Sequence, residues 1–82
     1  MSNEVIMDIK KVLFKEGEVA GKLYMIKSGE VLCLKASQDR LIPVFRAKAQ
    51  DIIGENAMIT GATYSYSAIA TERSQLIEIS AQ

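Results

Sequence analysis

The sequence predicts an all-β chain: a small antiparallel sandwich or barrel with one short helix. Three observations carry this. Apolar residues come in short runs at about ten-residue spacing, as in small sandwiches and barrels. Gly, Ser, Asp and Gln punctuate the runs. No stretch sustains the 3.6-residue period of an amphipathic helix. With 82 residues, 49% of them hydrophobic, the chain has room for one domain over residues 1–82, its barrel core spanning about residues 10–80.

The elements follow in order. Val12-Leu13-Phe14 is the first apolar run, closed by Glu16-Gly17-Glu18, whose carboxylates read as surface charges. Leu23 to Ile26 and Val31 to Leu34 are strands joined by Ser28-Gly29-Glu30, a tight turn with glycine at positive φ. Ala36 to Arg40 is the next turn. Leu41 to Phe45 is a strand interrupted by Pro43, which cannot donate to a ladder, so this strand lies at an edge or carries a bulge. Ile52-Ile53 precedes the one helical candidate, Glu55 to Ile59, about a turn long, and Gly61 suits its C-terminal cap. Tyr66 to Ala70 and Leu76 to Ile79 are the last two strands. In the latter, Leu76 and Glu78 share one side and Ile77 and Ile79 the other, the mix of a half-exposed strand.

Composition removes several function classes. Lys+Arg number 10 and Asp+Glu number 10, for a net charge of +0, so no polybasic face exists and no nucleic-acid polymer is expected as a partner. The chain has no His, the usual general base near neutral pH and the usual ligand of zinc, copper and iron. Its single Cys, Cys33, allows neither an internal disulfide nor a Cys-based zinc site and reads as a small core residue. No apolar run is long enough to span a membrane, and the N-terminus lacks the basic start and apolar segment of a signal peptide. A cytoplasmic location is expected. An enzyme is not: a cupin-like site would need metal-binding histidines, and no nucleophile–base pair stands out.

Among the carboxylates, Asp51 and Glu55 differ from the rest because they bracket Ile52-Ile53-Gly54 ahead of the short helix. Structurally, Asp51 closes a turn and Glu55 starts the helix at its positive dipole end. Functionally, Glu55 accepts hydrogen bonds from ligand hydroxyls while backbone N–H groups of Asn56, Ala57 and Met58 face an anion, and Gly54 lets the ligand approach.

The series Phe14-Lys15-Glu16-Gly17-Glu18, Leu23 to Val31, Asp51-Ile52-Ile53-Gly54-Glu55-Asn56-Ala57-Met58-Ile59, Ser67 to Glu72 and Leu76 to Ile79 resembles the cyclic nucleotide-binding domain family, in the family's order and over about residues 10–80. Members include catabolite-activator-type regulators, regulatory subunits of cyclic-AMP-dependent kinase and cyclic-nucleotide-gated channels. The resemblance implies an antiparallel jelly-roll barrel whose one short helix lies in a phosphate-binding cassette. It implies a cyclic nucleotide (cAMP or cGMP) as ligand. Gly54 would allow close approach and Glu55 would accept the ribose hydroxyl. Asn56 and Ala57 would offer N–H groups to the phosphate, and Ser65 would supply a small hydroxyl residue.

The sequence also departs from the family. The arginine that pairs with the phosphate is replaced by Tyr64, or by Tyr66 in a register shifted by two. The turn before the cassette, Ala47-Lys48-Ala49-Gln50, lacks the family's glycine. The helices that lid the pocket have no counterpart after the last strand. Losing a charge-assisted bond of about 1.5–3 kcal/mol lowers affinity about ten- to several-hundred-fold. The expected function is therefore a non-enzymatic regulatory, signal-sensing domain that binds cyclic nucleotide weakly if at all. The alternative is a degenerate domain serving as a protein-interaction scaffold, its pocket empty or plugged by Tyr64 or Tyr66. A protein partner or output domain is expected in both cases. So is a homodimer, through exposed Met58, Ile59 and Tyr64. Replacing Tyr64 by arginine is expected to tighten nucleotide binding by about one to two decades.

Overall fold

A computed structural model describes residues 2–80, with side chains from Asn3. Eight strands follow the chain: β1 (Ser2–Met7), β2 (Val12–Phe14), β3 (Lys22–Ser28), β4 (Val31–Ser37), β5 (Arg40–Ala47), β6 (Ile52–Ile53), β7 (Ser67–Ala70) and β8 (Ser74–Ser80). A 3-10 turn at Glu55–Met58 is the helical piece. The strands form two antiparallel four-stranded sheets, ordered β1-β8-β3-β6 and β2-β7-β4-β5. The all-β antiparallel expectation and the single short helix both hold. β1 is an addition to the runs read from sequence. It pairs with β8 from Ser2↔Ile79 to Met7↔Ser74 and buries Met7.

Side-chain alternation builds the core between the sheets. On β4, Val31 and Cys33 point inward while Leu32 and Leu34 are half-buried on the other face. They join Ile26, Ile53, Leu76 and Ala68, all fully enclosed. Burial pushes the Cys33 thiol up to about 12, so it stays protonated and inert as a core residue. Glu78, on the same side of β8 as buried Leu76, has its charge met there. Its carboxylate lies 3.3 Å from Lys22 Nζ, and the Tyr24 hydroxyl donates to it across 3.5 Å.

The turns match their residues. Gly29 has φ 93 between β3 and β4. Behind it the Ser74 hydroxyl accepts the Glu30 N–H (3.1 Å) and donates to the Glu72 carbonyl (2.8 Å). Glu30 also takes bonds from the Thr71 hydroxyl and Arg46, both at 2.8 Å, which hold its carboxyl below its ordinary value. Gln38 and Asp39, at φ 49 and 66, make the β4–β5 hairpin without glycine. Pro43 sits on β5, which is an edge strand and also carries a register shift opposite Cys33 and Leu34. Gly61 differs from expectation. The 3-10 turn closes at Ile59, whose N–H bonds the Asn56 carbonyl, and Gly61, at φ 79, lies in the next turn, where Ala62 N–H reaches the Ile59 carbonyl.

Candidate functional site

The cassette begins where β6 ends. Asp51 closes the preceding turn: Lys48 N–H donates to its carboxylate at 2.8 Å, and its own N–H donates to the Lys48 carbonyl at 2.9 Å. Gln50, in the turn where the resemblance expects a glycine, lies at φ 77, and its N–H is tied to the Ile26 carbonyl at 2.7 Å. Gly54 then turns the chain at φ 81, ψ 26. A Cβ here would lie 3.1 Å from the Lys22 carbonyl and 3.2 Å from Tyr64 Cε1. On that side Gly54 packs closely against β3 and Tyr64, so the chain's own packing needs a residue without Cβ here.

Tyr64 is buried at 6% exposure. Its ring stacks on Phe14 with centroids 3.8 Å apart. Its hydroxyl donates to the Lys22 carbonyl at 2.5 Å and accepts the Lys22 N–H at 3.3 Å. Burial raises its pKa, opposed by the bond to Lys22. Tyr64 therefore belongs to the core, not to an exposed apolar patch, which corrects its assigned part in self-association. A guanidinium there would replace this stacked ring, so the gain expected from Tyr64→Arg is set against a loss of packing.

Tyr66, two residues on and half-buried, points into the same region. Its hydroxyl accepts the Gly54 N–H at 2.9 Å and donates to Glu55 Oε1 at 3.2 Å. Its ring lies 5.6 Å from Phe14 and meets Phe45 edge-on at 5.1 Å. Burial, more than the neighbouring Glu55 charge, raises its pKa well above the ordinary phenol value, so the hydroxyl remains a donor.

The structure brings Gly54 and Glu55 together on one hydroxyl, but that hydroxyl is the chain's own. Ala57 is buried, and its N–H closes the 3-10 turn on the Gly54 carbonyl at 2.9 Å, so this donor is already used inside the turn. Asn56 is half-buried and spends its side-chain amide on the Thr63 carbonyl at 2.8 Å. Ser65 is exposed. Phe14 and Phe45 are the participants that sequence reading missed. Both lie distant in sequence from the tyrosines they touch, so no local pattern marks them. A cavity of about 480 Å³ lies elsewhere, against Val12, Leu34, Leu41 and Ile69 of the second sheet. A smaller one of about 160 Å³ sits beside Ala20, Gly21 and Ala57 to Gly61.

Gly54 turns the chain at a left-handed φ and Glu55 opens the 3-10 turn, the one short helix that the resemblance placed in the cassette. The family model of the cyclic nucleotide-binding domain matches residues 8–82. The chain belongs to that family. No curated protein matches it. Among solved structures, it is similar to the cAMP-bound EAL enzyme Bd1971, with 28% identity, a TM-score of 0.90, and coverage of 98% of this chain and 22% of that one. The regulatory domain of Toxoplasma gondii PKA with cAMP gives 24% identity and a TM-score of 0.93 over 98% of this chain and 31% of that one. Thermus thermophilus catabolite activator protein gives 20% and 0.92 over 98% and 38%. The last two establish the jelly-roll fold alone. The domain thus spans about a fifth to two fifths of these three chains. Among the described residues, no helix is long and apolar enough to cross a membrane.

Proposed function

We propose that this cyclic nucleotide-binding domain is a non-enzymatic, cytoplasmic regulatory domain that takes cAMP or cGMP weakly if at all and signals to a protein partner or output domain. The observation that carries this reading is Tyr64. At the position where the family pairs arginine with the cyclic phosphate stands a buried phenol stacked on Phe14 and bonded to Lys22. Without that cation, binding falls back on Glu55, the close approach at Gly54, the N–H of Asn56 and the hydroxyl of Ser65. The relative bound to cAMP, and to cGMP in another structure, supports the ligand class. Calorimetric titration with cAMP and cGMP is expected to give no heat at micromolar ligand and a dissociation constant no tighter than about millimolar. A micromolar constant for either nucleotide would refute the reading.

A second reading, a scaffold that binds no nucleotide, is favoured by the closed bonding of Gly54 and Ala57 described above. Silence at saturating millimolar ligand selects it.

Self-association is part of the proposal. Met58 and Ile59 are 70% and 63% exposed, and Val19, bridged to Thr63 nearby, is 74% exposed. Such a patch marks a contact surface, and a net charge of +0 does not oppose a second copy. Sedimentation at high micromolar concentration is expected to show a homodimer that Met58→Asp dissociates. A wild-type protein that stays monomeric there excludes it.

A further inference from the structure

We infer that Tyr66 is an internal competitor for the cassette: its hydroxyl bonds the Gly54 N–H and Glu55 Oε1, so a ligand hydroxyl takes that same position between them only when this phenol swings away. The inference rests on the reading of Glu55 as the acceptor of a ligand hydroxyl.

The two tyrosines do different work. Tyr64 is buried, and its hydroxyl bonds only the backbone of Lys22, which ties β3 to the segment before β7. Tyr66 bonds only cassette groups, Gly54 and Glu55. One oxygen there both accepts an N–H and donates to a carboxylate, as a sugar hydroxyl in the same place would. Its position also permits release. Tyr66 immediately precedes β7, so its backbone is anchored while the side chain turns on its own χ1. The side chain is half-buried, and the ring against its edge, Phe45, lies on edge strand β5 at 42% exposure. Glu55 itself is exposed, so the partner that Tyr66 gives up can still be reached from solvent.

The test uses the full chain. Tyr66→Phe keeps the ring contacts with Phe14 and Phe45 and removes only the hydroxyl; Tyr66→Ala removes the ring as well. Binding of cAMP is followed by NMR titration, and exchange of the Gly54 amide is measured without ligand. Tyr66→Phe is expected to speed Gly54 exchange and to tighten cAMP binding about tenfold, the equivalent of one hydrogen bond to a charged group. Adding Glu55→Gln to that variant is expected to reverse the gain. If wild type binds cAMP and both Tyr66 variants bind equally or less tightly, the competitor role is wrong while the nucleotide reading stands. If no form binds at millimolar cAMP, both fall, and the scaffold reading replaces them.

Discussion

Tyr64→Ala is expected to lower the unfolding free energy by about 3–5 kcal/mol, the range for deleting a buried aromatic ring. The loss is large because the ring is stacked at 3.8 Å on Phe14, itself 4% exposed, and because Gly54 packs on the ring edge. The Lys22 N–H and carbonyl would also lose their partner. Tyr64→Arg is expected to cost at least as much, since it removes the stacked ring and brings a charge into the core. A domain of this size has only about 4–12 kcal/mol in hand, and each kcal/mol moves Tm by about 4–8 °C. Urea unfolding checks this. A Tyr64→Ala midpoint equivalent to less than about 1.5 kcal/mol would show that the ring is not a core element.

Gly29→Ala is the second severe change, expected to cost about 3–5 kcal/mol. A Cβ at Gly29 would sit 2.7 Å from both the Arg73 carbonyl oxygen and Ser74 Cα, which are backbone and cannot rotate aside. The left-handed φ of 93 adds its own penalty. Backbone strain and overpacking each contribute about 1–3 kcal/mol. Gly17→Ala is the control. Its φ is 92, but nothing lies within 4 Å of the added atom, so strain alone should cost about 1–2 kcal/mol. Equal losses at the two positions, measured by thermal melting, would mean that contact with the β7–β8 turn is immaterial.

Most of the fold was legible in the sequence because it rests on local signals. Gly29 and Pro43 each announce one backbone restriction, and both restrictions appear where expected. β1 was not legible, because Glu4, Val5, Ile6 and Met7 carry no clean alternation and owe their strand to pairing with β8. In the cassette, Gly54 and Glu55 could be placed by spacing. What their groups bond to could not. The Gly54 N–H and Glu55 Oε1 bond Tyr66, and the ring stacked on Tyr64 is Phe14, fifty residues away. The sequence named the tyrosines as candidate plugs, but only three-dimensional packing separates a core ring from a displaceable one.

The aromatic residues have a spectroscopic consequence. The chain has no Trp, two Phe and three Tyr. Phe14 touches Tyr24, Tyr64 and Tyr66, and Tyr66 touches Phe45, so every aromatic chromophore belongs to one cluster beside the cassette. Near-ultraviolet circular dichroism, which reports fixed aromatic packing, therefore reads this region with no background from elsewhere in the protein. Burial holds all three phenols above their ordinary pKa, Tyr24 at about 12, so they stay neutral through the physiological range. A change in that signal on adding a nucleotide or a partner protein would locate the event at the cassette without any label.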